Sequence, residues 1–196
     1  MDSTGWDERY RSSGLVWTSE PNRFVREYLA DTAPGTAVDL GAGEGRNAVW
    51  LAELGWRVTA VDFSPVGLAK AQDAARGAGV RIDTAVADVA EYAPDSPVDL
   101  VLLSYLQILP EDRRRLLRRI PSWLRPGGAV LVVAHDESNV EHGWGGPPDP
   151  ALCYDVETTA ADLAPLRVDI AEVRQRDVAD ADRPALDTVV LAHRTG

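Results

Sequence analysis

The sequence of 196 residues contains one cysteine, Cys153, and this scarcity excludes an internal disulfide framework and a metal centre built from several cysteines. Basic residues are also few: 20 lysines and arginines stand against 31 aspartates and glutamates, which gives a formal net charge of -11. Nucleic-acid backbones bind basic surfaces, so this balance disfavours DNA or RNA as the main partner. Long apolar runs are missing as well, since no run reaches the roughly 20 residues that cross a membrane.

The residues that are present have the composition of an ordinary globular protein, with 45% hydrophobic and 26% charged. A chain of this length is expected to form one domain, over residues 1–196, with a sizeable core. The polar segment Met1-Asp-Ser-Thr-Gly-Trp6 is not typical of a signal peptide, so we expect a cytoplasmic protein, as a monomer or a homodimer. The triplet His135-Asp136-Glu137 does not predict a metal site, because neighbours on a strand cannot all face one ion.

A glycine-rich segment between two predicted strands is the strongest functional signal. A buried strand is predicted over 37–40, a helix over about 46–54, and a second strand over 57–61. The turn between the first strand and the helix contains Gly41, Gly43 and Gly45. Glycines let the backbone turn sharply and approach a ligand, and a helix start offers free N–H groups. Asp62 follows the second strand, where an acid can accept hydrogen bonds from ribose hydroxyls, so we predict a nucleoside pocket.

The spacing of the glycines bears on which cofactor the pocket takes. The dinucleotide fingerprint requires a third glycine where this chain has Arg46. Asp39, two residues before the first glycine, is poorly placed for a pyrophosphate but suits a ligand that carries an ammonium group. A Rossmann NAD(P)-dependent reductase and a non-catalytic nucleotide-binding sensor are the alternatives that the residues leave open.

Three motifs in order carry a family resemblance: Asp39-Leu-Gly-Ala-Gly-Glu-Gly45, the strand end at Asp62, and Ala87-Asp88-Val89. They resemble the motifs of class I S-adenosylmethionine (SAM)-dependent methyltransferases, specifically over about 36–128. The layout is similar to small bacterial tellurite-resistance and thiopurine methyltransferases. The resemblance implies an α/β, Rossmann-like, doubly wound sheet of seven mostly parallel strands. It also implies an antiparallel C-terminal edge strand and helices on both faces.

The resemblance also implies roles for individual residues. Asp62 would hold the ribose hydroxyls, and Asp88 would accept from the adenine amino group, with Val89 and Phe63 beside the ring. Asp39 and the glycine turn would face the methionine portion, whose carboxylate would pair with Arg46 or Asn47. The full set implied for SAM and its product S-adenosylhomocysteine is Asp39, Gly41, Ala42, Gly43, Gly45, Arg46, Asn47, Asp62, Phe63, Ser64, Asp88, Val89, Ser104 and Tyr105.

The remaining chain predicts alternating strands and helices, which indicates right-handed crossovers and a parallel sheet. Strands are expected over 80–87, 98–103, 129–134, 166–173 and 186–193, and helices over 65–77, 111–124 and 155–163. A helix capped by Ser19 with Pro21 in its first turn is expected before the first strand. The arginines of the 111–124 helix are interpreted as a solvated face.

Two segments outside this pattern are candidates to enclose an acceptor. Residues 1–35 are expected to form a lid and helix region in which Tyr10, Trp17 and Asn22 cover the cofactor, although packing on the sheet edge is an equal alternative. Residues 136–150, with Trp144, are expected to form a loop on the substrate side. The acceptor is therefore expected to be a small molecule, either a thiol or chalcogen or a phenol-type hydroxyl.

Methyl transfer from a sulfonium requires mainly alignment and the exclusion of water. If the acceptor must lose a proton, His135 is the first candidate base, with Asp136 orienting its ring, and Tyr105 and His142 are further candidates. Each of these residues could equally serve in packing or hydrogen bonding. Cys153 is expected to be a small buried residue rather than a nucleophile.

Overall fold

The computed structural model describes residues 3–12, 14–16 and 18–196. Its centre is a seven-stranded sheet in the order β3-β2-β1-β4-β5-β7-β6. The strands are β1 Thr36–Leu40, β2 Arg57–Asp62, β3 Asp83–Val86, β4 Val98–Ser104, β5 Leu124–His135, β6 Arg167–Arg176 and β7 Ala185–His193. The helices are α1 Ser3–Ser12, α2 Arg23–Leu29, α3 Arg46–Glu53, α4 Pro65–Gly77, α5 Pro110–Trp123, α6 Asn139–His142 and α7 Val156–Asp162, with a 3-10 turn at Pro150–Leu152.

The direction of the strands confirms the Rossmann-like, mostly parallel sheet. The strands β1 to β5 pair in parallel, whereas β7 runs antiparallel to both of its neighbours. The two C-terminal strands pair with each other as expected; β7 lies inside the sheet and β6 forms its edge. The strand order reverses at β1 and β4, and in open parallel sheets this switch point is where ligands bind.

The core lies on both faces of this sheet because successive side chains of a strand point to opposite sides. Val38, Leu40 and Leu103 belong to one buried cluster, which packs against α5 and α7. Leu100 and Leu102 belong to the other, which packs against α2, α3 and α4. The near-continuous apolar character of β4 follows from this coverage of both faces. No helix in the described part of the chain is long and apolar enough to cross a membrane.

Several element boundaries differ from the sequence-based expectations. Ser19 does not cap α2; the carboxamide oxygen of Asn22 accepts from the backbone N–H groups of Phe24 and Val25 instead, so the helix starts at Arg23. The third strand is restricted to Asp83–Val86. The fifth strand begins earlier than expected, at Leu124, because Leu124 pairs with Val98 across a register irregularity between Val98 and Leu100.

Two segments outside the predicted alternation of strands and helices contain helices. The segment around Trp6 has no apolar period, yet α1 forms there and contacts α4. The 136–150 loop contains the single-turn helix α6. Three of the five α5 arginines are exposed as expected, whereas Arg113 donates to the Cys153 carbonyl and Arg119 to the Tyr92 carbonyl.

Candidate active site

A cavity of about 520 Å³ opens at the carboxyl ends of β1, β2 and β4. Its wall combines the glycine turn, the start of α3, the ends of β2 and β4 and the N-terminal segment. Among the sequence-predicted residues, the wall contains Tyr10, Gly41, Ala42, Gly43, Gly45, Arg46, Asn47, Asp62, Phe63, Val89, Ser104 and Tyr105. Residues far apart in the chain therefore meet at one concave site of the size typical for small-molecule ligands.

The glycine turn has a backbone conformation that other residues rarely adopt. Gly41, Gly43 and Gly45 have φ values of 72°, 54° and 82°. Gly45 also lies against α4, where an added Cβ would come within 2.5 Å of the Ala71 Cβ. The turn thus keeps α3 and α4 close together and presents its backbone, without side chains, to the cavity.

Asp62 anchors this turn from the neighbouring strand. One carboxylate oxygen accepts from the Gly43 N–H at 2.8 Å and the other from the Ser64 N–H at 2.8 Å. Burial raises the pKa of Asp62, and the two backbone donors oppose that rise. Ser64 itself caps α4 by accepting from the Gly67 N–H. The Asp62 carboxylate is therefore fixed in orientation at the cavity wall, with lone pairs remaining for a ligand hydroxyl.

Asp39 is 1% exposed, and its Oδ2 atom has no hydrogen-bond partner among the described residues. Burial raises the pKa of Asp39 to about 7, although the guanidinium of Arg46 opposes this rise. An unsatisfied buried carboxylate is costly, and a cationic ligand nearby would favour its charged form. Asp39 does not itself line the cavity, but it lies two residues before Gly41, so its charge would favour an ammonium group bound at the glycine turn.

The predicted adenine end of the site is assembled in part. Phe63 and Val89 lie on the cavity wall, and Val89 is buried. Asp88 is exposed and lies off that wall, with one carboxylate oxygen accepting from the Ala90 N–H at 2.9 Å. The structure therefore brings the apolar residues of this motif to the cavity and leaves the Asp88 carboxylate at a turn.

The N-terminal segment docks over the glycine turn. Tyr10 is 4% exposed and lies against Gly43 and Gly67, where a Cβ on either glycine would meet its ring or hydroxyl. Asp7 accepts a hydrogen bond from the Ser64 hydroxyl at the start of α4. A further link joins Lys70 of α4 to Glu44 in the glycine turn at 2.9 Å. The prediction for Trp17 lies outside the described residues.

Replacing Tyr10 with alanine is expected to release α1 and to weaken S-adenosylhomocysteine binding about tenfold. An isolated ten-residue helix is marginal in water, so α1 depends on this buried ring for its position. Hydrogen exchange should show faster exchange of the α1 amides, and calorimetry should show the lower affinity. Trp144→Ala is the matched control and should change neither. Fast α1 exchange with unchanged affinity would show that the segment only packs.

The wall on the β4 side is formed by Ser104 and Tyr105. Tyr105 has a φ of 56°, and its hydroxyl donates to the Asp187 carboxylate at 2.7 Å. Burial, with the charge of Asp187 as a second cause, raises the pKa of Tyr105 far above its ordinary value. Tyr105 thus stays protonated at neutral pH, which is unsuitable for the base that the sequence suggested.

His135 lies behind this wall, with its ring centroid 4.8 Å from that of Tyr105. Burial lowers the pKa of His135, so the ring is neutral at neutral pH. The prediction that Asp136 orients His135 is wrong: Asp136 accepts from the Thr188 hydroxyl at 2.7 Å. The carboxylate that faces the His135 Nδ1 atom, at 3.4 Å, is Asp187.

Sequence reasoning missed Asp187 and its partner Arg176, whose Nε donates to Asp187 at 2.7 Å. The available signal was a charged residue inside the apolar strand 185–193. An acid at such a position is buried unless the register turns it outward, and a buried acid needs partners. The partners themselves come from β4 and β6, and this pairing is set by the assembled sheet.

The structure does not bring every predicted residue to the cavity. Trp144 is 44% exposed and lies in a separate surface groove with Arg183. Asn22 is buried, caps α2, and donates from its backbone N–H to the Asn47 side chain. His142 is exposed beside Glu141. Cys153 is buried, and burial raises its pKa to about 11, so its thiol is inert.

In the described part of the chain, no group of three or more histidine, cysteine, aspartate or glutamate side chains is arranged to hold a metal ion. The cavity wall offers the buried acid Asp62, the glycine backbone, the start of α3 and several aromatic residues, whereas Asp39 is buried and lies off the wall.

Comparison with known proteins agrees with this arrangement. Residues 37–128 match the family described as Methyltransferase domain. The chain is 35% identical over 115 residues to tRNA 5-carboxymethoxyuridine methyltransferase of Escherichia coli (strain K12), covering 55% of this chain and 44% of that protein. It is 36% identical over 135 residues to trans-aconitate 2-methyltransferase of Azoarcus sp. (strain BH72), covering 65% and 49%. The chain therefore spans about half the length of the curated relatives it matches.

Solved structures extend the similarity of fold over the whole chain. TehB from Haemophilus influenzae aligns with a TM-score of 0.75 at 16% identity, covering 97% of this chain and 66% of that one. N-methyltransferase NodS from Bradyrhizobium japonicum WM9, in complex with S-adenosylhomocysteine, aligns with a TM-score of 0.74 at 18% identity, covering 100% of each chain. Residues 37–128 therefore form a domain of the class I SAM-dependent methyltransferase family, and the whole chain has the sheet order of this fold.

Proposed function

We propose that this protein transfers the methyl group of SAM to a small-molecule acceptor. The observation that carries the proposal is the convergence of the glycine turn and Asp62 on one cavity at the strand-order switch point, with the buried Asp39 two residues before that turn. The unpartnered Asp39 oxygen fits this cofactor, because a buried carboxylate beside the glycine turn would attract the ammonium group of the methionine portion. SAM, when bound, supplies a methyl group on a sulfonium, which is a good leaving group.

The residues of the chain would then bind and orient. The Asp62 carboxylate, already fixed by two backbone donors, would accept from the ribose hydroxyls. Phe63 and Val89 would flank the adenine, and the positive start of α3 with Arg46 would face the carboxylate of the methionine portion. Tyr10 and the docked α1 would exclude water from the reacting groups, as the displacement requires.

The acceptor is proposed to be small, as a thiol or chalcogen or as a phenol-type hydroxyl. The net charge of -11 opposes a nucleic-acid surface, even though one relative is named for a tRNA substrate. The cavity has room for a cofactor and a compact acceptor, and α1 closes over part of it. Trans-aconitate, named in another relative, is also a small molecule, although its acceptor groups are carboxylates.

Calorimetry with S-adenosylhomocysteine and with NAD tests the cofactor. We expect saturable binding of S-adenosylhomocysteine and no binding of NAD, because Arg46 stands in place of the dinucleotide glycine. A panel of thiols, chalcogen oxyanions and phenols, followed by release of S-adenosylhomocysteine from SAM, then tests turnover. Tight NAD binding alone would overturn the proposal. Cofactor binding with no turnover on any acceptor would favour a sensor.

Substituting His135 by alanine is expected to lower turnover less than tenfold with a thiol acceptor. The ring is neutral but lies behind Tyr105, and a low-pKa thiol arrives already ionised. With a phenol, a base at this position would contribute roughly 10²–10⁴-fold. The pH–rate profile separates the cases: a rising limb below pH 6.5 that the variant loses would show that His135 is the base, since burial lowers its pKa.

A further inference from the structure

We propose that Asp187 is a positioning residue, which holds the Tyr105 ring against the acceptor side of the cavity; this inference rests on the proposed methyl transfer. Asp187 is fully buried on β7, and Tyr105 follows the end of β4. They are separated by 82 residues in sequence, yet the Tyr105 hydroxyl and the Asp187 Oδ2 atom are 2.7 Å apart. The contact ties a wall of the cavity to the centre of the C-terminal strands.

The Asp187 carboxylate has three groups around it. Its Oδ2 atom accepts both from Tyr105 and from the Nε of Arg176, each at 2.7 Å. Its Oδ1 atom lies 3.4 Å from the His135 Nδ1 atom and has no hydrogen bond among the described residues. His135 and Asp187 are also direct partners in the pairing of β5 with β7. The carboxylate therefore occupies a position that the sheet itself fixes.

Tyr105 needs such a restraint. Its φ of 56° lies in the left-handed region, which is unfavourable for a large side chain and persists only where the surroundings impose it. Its backbone N–H donates to the Val133 carbonyl at 2.8 Å, and its hydroxyl donates to the Asp187 carboxylate. The backbone bond fixes the position of the Tyr105 main chain, and the bond to Asp187 fixes the far end of its ring.

The placement of the Tyr105 ring matters because Tyr105 also lines the cavity. Displacement at a sulfonium requires the nucleophile in line with the leaving group, and a shift of about 1 Å can cost roughly 10²-fold in rate. Tyr105 cannot supply the proton transfer itself, since its pKa is raised. What a rigid ring supplies is a fixed surface that sets the approach of the acceptor. The role of Asp187 is to keep that surface in place.

The test compares Asp187→Asn, Tyr105→Phe and the double variant, with Asp99→Asn as the control. Asp99 is also a carboxylate bound by a hydroxyl and an arginine, Thr36 and Arg125, but at the opposite end of the sheet. For each protein, kcat and KM with the best acceptor, the Kd for S-adenosylhomocysteine and the unfolding midpoint in urea are measured.

We expect each single variant at the Tyr105–Asp187 contact to lower kcat ten- to hundredfold while the Kd for S-adenosylhomocysteine changes less than threefold. The double variant should lose no more than the worse single variant, because both changes break one interaction. Asp99→Asn should shift the urea midpoint and leave kcat unchanged. Tyr105→Phe retains the ring and its packing, so it tests the contact even if Asp187→Asn does not fold.

Unchanged kcat in Tyr105→Phe, or losses that multiply in the double variant, would overturn the positioning role. A kcat that falls only as far as the folded fraction falls would overturn it as well, by showing a purely structural effect. Wild-type protein without turnover on any acceptor would overturn the proposed function and this inference together. Turnover by the wild type with undiminished kcat in the Asp187 variant would overturn the inference alone.

Discussion

Replacing Asp62 with alanine is expected to weaken S-adenosylhomocysteine binding at least tenfold. The carboxylate is the proposed acceptor for the ribose hydroxyls, and it also accepts from the Gly43 and Ser64 N–H groups. Each buried donor left without a partner costs about 1–3 kcal/mol, and about 1.4 kcal/mol corresponds to a factor of ten in affinity. The substitution therefore removes a direct contact and also loosens the turn that faces the methionine portion.

Calorimetric titration of the variant with S-adenosylhomocysteine measures this loss. Asp83→Ala is the control, because Asp83 is an exposed acid at the opposite end of the neighbouring strand β3, and its affinity should stay within threefold. Asp62→Asn separates the two contributions: one amide oxygen still accepts from the turn, so it should fall between alanine and wild type. An affinity of Asp62→Ala equal to wild type would remove Asp62 from the proposed site.

The part of the site nearest to the glycine turn could be predicted because it is local in sequence. Asp39, the three glycines and Asp62 stand at strand ends, and strand ends follow from apolar runs and glycines without knowledge of the tertiary structure. A parallel sheet then brings its carboxyl ends to one edge, so the residues meet. The cavity wall contains the three glycines and Asp62, as this reasoning predicts, whereas Asp39 lies off it.

Contacts between distant strands could not be predicted in the same way. Tyr105, Asp187 and Arg176 meet only because β7 enters the sheet between β5 and β6 in a particular register, and a shift of one residue would turn Asp187 to the other face. The sequence suggested Asp136 as the partner of His135 because the two are adjacent. In the assembled sheet the cross-strand neighbour Asp187 faces the ring instead.

Helix starts show a related limit. Ser19 and Asn22 are both good capping residues, and local sequence does not choose between them. Asn22 caps α2 because Asn47, at the start of α3, also binds its backbone N–H. The helix α1 has no apolar stripe to reveal it, and it forms where Tyr10 finds the space left by Gly43 and Gly67. Tertiary contacts, which propensity does not contain, decide both cases.

The pKa of Asp39, raised to about 7 by burial, makes the stability of the cofactor-free protein depend on pH. The unfolded chain has the ordinary value of 3.8, so folding favours the protonated acid. The contribution to the free energy of unfolding is largest below that value, falls as pH rises and levels off above about pH 7. At about 1.4 kcal/mol for each pKa unit, a loss of roughly 2–4 kcal/mol is expected across this window.

Asp39→Asn should remove this pH dependence, because the amide does not titrate. At pH values above the pKa of Asp39, the free energy of unfolding of the cofactor-free variant in urea should therefore equal or exceed that of the wild type. This holds even though the variant loses the attraction between the carboxylate and the Arg46 guanidinium. Equal slopes of stability against pH in the two proteins would show that another group titrates. Asp99→Asn is a suitable control, since its carboxylate lies at the other end of the sheet beside Arg125.

Cofactor binding should show the opposite preference, and this contrast tests the role of Asp39 in the site. An ammonium group near the carboxylate favours the charged form, so wild-type affinity for S-adenosylhomocysteine should fall by up to about tenfold for each pH unit below 7. Below pH 7, binding should release a proton, which calorimetry detects in buffers of different ionisation enthalpy. Asp39→Asn should bind at least tenfold more weakly at pH 8 and release no proton. An affinity that varies with pH equally in both proteins would place the ammonium group elsewhere. An Asp39→Asn variant that is more stable than the wild type but binds S-adenosylhomocysteine poorly would show that this buried acid serves ligand binding and lowers the stability of the fold.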